Sequence, residues 1–381
     1  YIYINFTKKT GIHLKIETKI EKFNEHLYLE SGRLLESFQI IYETYGELNE
    51  DKSNVIVICH ALSGSHHAAG RYADEAQPGW WDKFIGDGKV IDTRKYFVIC
   101  SNNIGSSYGS TNPMSIDPST KKEYRLKFPV LAISDIVKAQ MKLYKRLGIS
   151  NAVAVIGGSM GGMQALCYAI EFPTFAKEII ALATTAYTRP WAIAFNKIGM
   201  EAIRHDPLFK NGAYKKDDPQ VLGLPGLAVG RMAGLICYLS PKLFNKKFGR
   251  DYSSTDGLYE LFGRFEVEKY LEYNAYSFPK IFDPLSYLYV CKTMNIFDAG
   301  RNKDKLADSF DKVQSNLHLI AFSDDMLFFP EEMEEIRDVM IKVGKENQVS
   351  YLLVDSQSGH DSFLVEVEKF EEHVREILKD K

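Results

Sequence analysis

The sequence predicts an α/β fold in which a mostly parallel central sheet is flanked by helices and interrupted by a helical insertion. Three observations support this prediction. Short β-branched runs alternate with amphipathic segments in the first half of the chain. The strand pattern then disappears between residues 187 and 297, and it returns near the C-terminus. A chain of 381 residues is long enough for one large core that carries an inserted subdomain.

The first strands are predicted at residues 54–60 (NVIVICH), 96–101 (YFVICS) and 152–156 (AVAVI). These runs are continuously apolar, which is typical of strands buried on both faces of a parallel sheet. Residues 133–147 carry apolar side chains at helical spacing, and Ser134 is the predicted N-cap of this helix. The order of these segments indicates alternating strands and helices.

Residues 187–297 have a helical and aromatic pattern with Pro and Gly interruptions, and we interpret them as an inserted lid. Strand patterns return at residues 317–321 and 351–354, with a helix predicted over residues 330–345. The C-terminal segments are therefore expected to complete the sheet. The predicted divisions are a first core part at 1–186, the lid at 187–297 and a second core part at 298–381.

Composition excludes several classes of partner. The chain has 47 basic and 50 acidic residues and a net charge of -3, so no overall field attracts nucleic acid or an anionic membrane. No apolar run approaches the roughly 18 to 20 residues that span a bilayer, and residues 1–22 contain no apolar stretch typical of a signal peptide. The five cysteines show no CxxC spacing. We therefore expect a cytoplasmic protein that binds neither nucleic acid nor membrane.

A glycine-rich turn, GGSMGG at residues 157–162, separates the predicted strand AVAVI from a helix-like segment. G-x-S-x-G in this setting is typical of the nucleophile elbow of α/β-hydrolase folds. Gly157 and Gly161 fit such a strained turn because larger side chains would clash with backbone. The alternative is a tight turn that packs closely or binds phosphate at the helix N-terminus. We predict that Ser159 is the nucleophile.

In this fold, the serine is followed along the chain first by an acidic residue and then by a histidine. His360 comes just after the last predicted strand and is the predicted general base, whereas His373 in a charged C-terminal helix is expected to be solvated. The acid is expected after the strand at 317–321, where Asp324 and Asp325 are adjacent. Spacing alone does not choose between these two aspartates.

The oxyanion hole is expected to combine two backbone donors. One is the N–H of Met160, the residue after the nucleophile, and the other is the N–H of Leu62 in the loop that follows the first predicted strand. A histidine cluster near this loop raises the alternative of a zinc site, but no cysteine or carboxylate lies nearby at ligand spacing. We expect no metal and interpret the cluster as part of a pocket-lining loop. The histidines are His60, His66 and His67.

Taken together, these motifs resemble the homoserine O-acetyltransferase family. The resemblance runs from about residue 27 to the C-terminus, and GWWD and GGSMGGMQA are far more specific than G-x-S-x-G alone. The matching segments are YGELN at 45–49, HALSGS at 60–65, GWWD at 79–82, the stretch 91–111, GSMGGMQ at 158–164 and GHD at 359–361. The chain departs from the usual family pattern at 186–189, at 282–288 and in the pair His66-His67. These three departures lie in the expected lid and pocket walls.

The resemblance also implies residue roles. The family has an Asp followed by x-Leu-Phe-x-Pro, and only Asp325 gives that frame, so it implies Asp325 as the acid. It further implies that Arg231 in the lid and Asp361 after the catalytic histidine bind the amino-acid acceptor by charge-assisted hydrogen bonds. Tyr238 lies two helical turns after Arg231 and is expected to face the same pocket.

The activity implied by the resemblance is transfer of an acetyl group from acetyl-CoA to the side-chain hydroxyl of L-homoserine, a step of methionine biosynthesis, through an acetyl-serine intermediate. It implies no tightly bound cofactor and a homodimer formed through the lid. Three alternatives remain open: another acyl-CoA, such as succinyl-CoA, or serine as acceptor; a carboxylesterase or thioesterase; and an inactive hydrolase fold used for binding, which predicts a broken triad.

Overall fold

The computed structural model describes residues 16–72, 77–215, 218, 224–253, 259–301 and 305–379. Of the N-terminal segment considered above, residues 1–15 lie outside the described ranges. Within them, no single helix is long and apolar enough to cross a membrane, and one pair of helices, Pro225–Tyr238 and Pro241–Phe248, reaches that length and composition only together, across a bend of 101°.

Eight strands form one sheet in the order β1-β4-β6-β5-β7-β8-β9-β10, and β2 pairs with β3 separately. β4 pairs antiparallel with β1 and β6, and all other neighbours from β6 to β10 are parallel. The predicted α/β fold with a mostly parallel sheet is therefore confirmed. The strands are β1 (Lys19–Phe23), β2 (Leu27–Tyr28), β3 (Leu34–Leu35), β4 (Phe38–Tyr45), β5 (Val55–Cys59), β6 (Phe97–Ser101), β7 (Ala152–Gly158), β8 (Ala176–Leu182), β9 (Asn316–Phe322) and β10 (Val349–Val354).

All five predicted strands are present, as β5, β6, β7, β9 and β10. The sequence patterns missed the other five strands, β1 to β4 and β8. In β4 and β8 a glutamate interrupts the apolar run, although Glu43 and Glu178 are both fully buried. Each of these carboxylates has an imidazole partner, which removes much of the cost of burying it. That compensation is invisible in the local pattern.

Eleven α-helices occur in the described ranges. They are α1 (Ile133–Arg146), α2 (Met160–Glu171), α3 (Pro190–His205), α4 (Pro225–Tyr238), α5 (Pro241–Phe248), α6 (Glu266–Ser277), α7 (Pro284–Asn295), α8 (Leu306–Phe310), α9 (Pro330–Lys342), α10 (Ser362–Val365) and α11 (Glu371–Leu378). The helices predicted at 133–147 and 330–345 correspond to α1 and α9, which end one and three residues earlier.

Two local predictions about side chains are wrong. The N-cap position of α1 is Ala132, not Ser134, because the Asp135 carboxylate accepts the Ala132 N–H at 2.9 Å while the Ser134 hydroxyl donates to Glu30 at 2.5 Å. His373, expected to be solvated, is partly buried on α11, and this burial together with the nearby His318 lowers its pKa.

Between residues 187 and 297 the described residues form helices α3 to α7 and no strand. The two ends of this segment meet, because Tyr187 forms an isolated antiparallel bridge with Asp298. α3 and α4 pack closely through glycines: a Cβ on Gly199 would lie 3.0 Å from the Gly230 Cα. The division into two core parts and a lid stays a prediction, and it is compatible with this connectivity.

Candidate active site

Ser159 occupies a strained position between β7 and α2. Its φ is +58° and its ψ is -125°, a conformation that L-residues rarely adopt. The flanking glycines make the turn possible: a Cβ on Gly157 would lie 2.3 Å from the Gly161 oxygen, and one on Gly161 would lie 2.1 Å from the Cys59 oxygen. The turn therefore requires glycine at both positions, and it presents the serine at the C-terminal end of the sheet.

The structure brings the three residues predicted as a triad into one hydrogen-bonded chain. His360 Nε2 lies 2.8 Å from Ser159 Oγ, and His360 Nδ1 lies 2.8 Å from Asp325 Oδ2. All three are almost fully buried, with exposed fractions of 5%, 3% and 2% for Ser159, His360 and Asp325. This is the arrangement in which imidazole takes the serine proton and the carboxylate stabilises the resulting imidazolium.

The two adjacent aspartates have different partners. Asp325 Oδ1 accepts the Leu327 and Phe328 N–H groups at 2.9 and 3.0 Å, which leaves Oδ2 directed at His360. Asp324 instead pairs with Lys242 of α5 at 2.7 Å. The geometry therefore places Asp325, and not Asp324, in contact with the imidazole.

The environment of His360 alters its basicity. Burial alone would lower the pKa of His360, but the charge of Asp325 and its hydrogen bond outweigh burial, so the pKa is raised above the ordinary value of 6.5. Because a general base must be neutral to accept a proton, activity is lost as the pH falls through this raised pKa. We expect the acid limb of kcat/KM for acetyl-CoA against pH to have its midpoint above 6.5. A midpoint below that value in a pH series at constant ionic strength would contradict this prediction.

Of the two predicted oxyanion donors, Met160 directly follows the nucleophile, and Leu62 lies in the loop after β5, the strand that pairs with β7. Among the described residues, the Leu62 and Met160 N–H groups donate no hydrogen bond to another residue. Leu62 lies two residues after His60, whose neutral ring helps to hold the loop. The His60 Nδ1 donates to the Ala61 oxygen at 2.8 Å, and its Nε2 accepts the Asn103 N–H at 2.9 Å. Burial lowers the pKa of His60 to about 4, which keeps the ring neutral at physiological pH.

The histidine cluster is divided between two environments. His60 belongs to the oxyanion loop, whereas His66 and His67 approach Glu43 at 3.7 and 3.0 Å. Sequence spacing missed this carboxylate because it comes from β4, well before the loop. Within the described ranges, no group of three His, Cys, Asp or Glu side chains is arranged to hold a metal ion.

The residues predicted to bind the acceptor lie beside the base. The Tyr238 ring is 5.9 Å from the His360 ring, and the Arg231 guanidinium lies 5.6 Å from the Tyr238 ring and 4.9 Å from the Phe278 ring. Asp361 directly follows His360, and burial raises its pKa while His360 and Arg231 oppose that rise. Among the described residues Arg231 and Asp361 form no ion pair within 4 Å, so the guanidinium and the carboxyl group are held apart near the base.

The helical segment 187–297 packs against the loop that carries the base. Gly359 has a φ of +65°, and a Cβ there would lie 2.8 Å from the Ser240 nitrogen and 2.9 Å from the Tyr238 oxygen. The Ser240 hydroxyl donates to the Gln357 oxygen at 2.5 Å. The junction between α4 and α5 therefore packs directly against the backbone that precedes His360. We call residues 238–240 the lid junction.

Comparison with known proteins places this site in context. Residues 54–367 match the model of the alpha/beta hydrolase fold family. The chain is 59% identical to the homoserine O-acetyltransferase of Sulfurimonas autotrophica over 365 residues, which cover 96% of this chain and 99% of the relative. The homoserine O-acetyltransferase of Nautilia profundicola is also 59% identical over 367 residues, with 96% and 99% covered.

Solved structures with the same fold include a transferase and an esterase. The crystal structure of a homoserine O-acetyltransferase from Bacillus anthracis has a TM-score of 0.89 at 29% identity, with 96% of this chain and 98% of that chain covered. An esterase structure has a TM-score of 0.87 at 28% identity and covers 96% and 100% of the two chains. The resemblance predicted from the motifs is thus confirmed. The chain belongs to the homoserine O-acetyltransferase family of the α/β-hydrolase superfamily.

Proposed function

We propose that this protein transfers an acetyl group from acetyl-CoA to the side-chain hydroxyl of L-homoserine, a step in methionine biosynthesis. The proposal rests chiefly on the Ser159–His360–Asp325 chain combined with the separated charges of Arg231 and Asp361 beside it. A triad alone supports acyl chemistry of many kinds. The two opposite charges suit the carboxylate and ammonium groups of an amino acid, and relatives at 59% identity carry the same family name.

The first half-reaction forms an acetyl-serine. His360 Nε2 takes the Ser159 hydroxyl proton as the oxygen attacks the thioester carbonyl, and the N–H groups of Leu62 and Met160 stabilise the tetrahedral oxyanion. Collapse of this intermediate breaks the carbon–sulfur bond. The proton on His360 passes to the departing thiolate, so CoA leaves as a thiol and the base is again neutral.

The second half-reaction uses the same base. Arg231 binds the acceptor carboxylate and Asp361 its ammonium group, which brings the side-chain hydroxyl next to His360. His360 removes the hydroxyl proton during attack on the acetyl carbonyl, and it returns that proton to Ser159 when the ester product forms. The scheme needs acetyl-CoA as co-substrate and no tightly bound cofactor or metal.

Hydrolysis is the main alternative, because a structural neighbour at 28% identity is an esterase. The two functions are distinguished by measuring CoA release from acetyl-CoA and succinyl-CoA, with and without L-homoserine or L-serine. We expect rapid release only with acetyl-CoA and L-homoserine together, and formation of an O-acetyl product by mass spectrometry. CoA release that does not depend on the acceptor would refute the transferase assignment.

Arg231→Gln is expected to weaken use of the acceptor selectively. Loss of a charge-assisted hydrogen bond costs about 1.5 to 3 kcal/mol, which corresponds to a roughly 10- to 150-fold lower kcat/KM for L-homoserine. Hydrolysis of p-nitrophenyl acetate, which needs no amino acid, should change less than about twofold. Arg204→Gln is the matched control, because Arg204 is an exposed arginine of the same segment that pairs with Glu201. An equal effect of the two substitutions would contradict a role for Arg231.

We also propose a cytoplasmic homodimer that associates through the segment 187–297. In support, this segment exposes several large apolar side chains, which are often covered by a partner. Sedimentation velocity with Ile236→Glu, at a site that is 52% exposed, tests the contact, and a wild-type monomer at micromolar concentration would exclude it. The exposed side chains include Trp191, Ile198, Val229, Ile236, Tyr273 and Ile281.

A further inference from the structure

Glu43 lies in an unusual environment away from the triad. It is fully buried on β4, and among the described residues its ion-pair partners within 4 Å are imidazoles rather than lysine or arginine. Burial raises the pKa of Glu43, but the hydrogen bonds it accepts outweigh burial, so the pKa is lowered and the side chain is a carboxylate. A buried charge of this kind needs every available donor.

Four donors converge on this carboxylate. Oε2 accepts the Tyr45 hydroxyl at 2.6 Å and His67 Nδ1 at 3.0 Å, and Oε1 accepts the Thr18 hydroxyl at 3.1 Å and the Tyr72 hydroxyl. The His67 and Tyr72 rings also stack, with centroids 4.2 Å apart. The donors come from three separate parts of the chain, and the carboxylate joins them. We call Glu43 and these four donors the Glu43 network.

The Glu43 network fixes the loop that follows the oxyanion donor. The Tyr45 hydroxyl accepts the Ala68 and Ala69 N–H groups at 2.8 and 3.2 Å, so Glu43 determines the direction of that hydroxyl. Ser65 is held on the other side, because its oxygen accepts Trp80 Nε1 at 2.9 Å. Residues 65–69 are thus anchored within a few residues of Leu62.

We propose that Glu43 is a positioning residue for acyl transfer, which acts through the 65–69 loop to place the Leu62 N–H in the oxyanion hole. Glu43 donates nothing to substrate and does not touch the triad. Its contribution is to hold the loop rigid. A carboxylate accepts hydrogen bonds from all four donors at once, whereas the NH₂ group of an amide in its place cannot accept and would oppose two of these donors. This inference deepens the proposed function, because it concerns the acylation of Ser159 in the same site.

Glu43→Gln is expected to lower kcat for p-nitrophenyl acetate about 10- to 100-fold while its KM changes less than twofold, since small misplacements of an oxyanion donor have effects of this size. The affinity of a boronic acid that forms a tetrahedral adduct with Ser159 should fall by the same factor, because its oxygen occupies the oxyanion hole. The midpoint of the acid limb should not move, because His360 is untouched. A purely structural role would not produce this combination.

Glu178→Gln is the matched control. Glu178 is also a fully buried strand glutamate bonded to a histidine, at 2.9 Å from His318, but it pairs with Ala154, four residues before the end of β7. We expect it to lower thermal stability without changing boronate affinity. If Glu43→Gln fails to fold, Tyr72→Phe carries the test, since it leaves the charge and removes one donor, whereas Tyr45→Phe would also remove the acceptor of the Ala68 and Ala69 N–H groups.

Two outcomes would overturn the inference: a rate loss that matches the loss of folded protein, or equal effects on boronate affinity in the Glu43→Gln and Glu178→Gln proteins. p-Nitrophenyl acetate is the substrate of choice for this series, because its turnover needs Ser159 but no acceptor. A wild type that hydrolyses it yet fails to acetylate L-homoserine would refute the proposed function and leave the role of Glu43 measurable.

Discussion

Ser159→Ala is expected to lower acetyl transfer by about four to six orders of magnitude, since the nucleophile of a triad acts as a unit with its base. Without the hydroxyl oxygen no acetyl-enzyme forms, and the elbow has no other nucleophile to replace it. The backbone should tolerate the change: alanine is smaller than serine, and the positive φ at this position is already imposed by the packing of Gly157 and Gly161.

Three measurements check this expectation. The first is CoA release under saturating acetyl-CoA and L-homoserine. The second is mass spectrometry of the protein mixed with acetyl-CoA alone, which should show an acetylated wild type and an unmodified variant. The third is thermal unfolding, which should give similar midpoints for both proteins. Turnover by Ser159→Ala within tenfold of wild type would eliminate the covalent mechanism.

Asp325→Asn is expected to lower kcat about 10⁴-fold, because an amide in place of the carboxylate favours the wrong imidazole tautomer and gives the imidazolium no counter-charge. Asp325 keeps two backbone N–H groups on Oδ1, so asparagine can hold the same loop through its own side-chain oxygen. The residual activity should show an acid limb at lower pH than wild type, since the charge that raises the pKa of His360 is gone.

Asp324→Asn supplies the control for this prediction. The two aspartates are neighbours in sequence, but Asp324 pairs with the exposed Lys242 of α5 and makes no contact with the imidazole. We expect its kcat to stay within a few-fold of wild type. If the larger loss appeared in Asp324→Asn, the assignment of the acid from the hydrogen bonds would be wrong.

The sequence predicts the central strands and the order of the triad because both have short-range signals. Continuous apolar runs mark β5, β6 and β7, and glycines at fixed spacing around Ser159 mark the turn. The choice between Asp324 and Asp325 required either a family frame or coordinates, because it depends on which carboxylate turns inward. Asp325 and Ser159 lie 35 and 201 residues before His360 along the chain, and no local sequence pattern predicts contacts over such separations.

The roles of buried polar groups are not predictable from the local sequence pattern. Glu43 and Glu178 interrupt the apolar pattern of their strands. Each is nevertheless buried, and each is hydrogen-bonded to an imidazole from a distant segment. The sequence predicts Ser134 as the N-cap of α1. The capping hydrogen bond is instead made by the Asp135 carboxylate, which accepts the Ala132 N–H. In each case a tertiary partner decides what a residue does, and residue type alone does not reveal the partner.

Gly359 allows the lid junction to pack closely against the backbone that carries the general base. Since the backbone before His360 packs against residues 238–240, we expect a displacement of α4 and α5 to shift the imidazole relative to Ser159 as well. An opening of this helical segment that admitted bulk water would, through these contacts, also be expected to take the base out of line with the nucleophile.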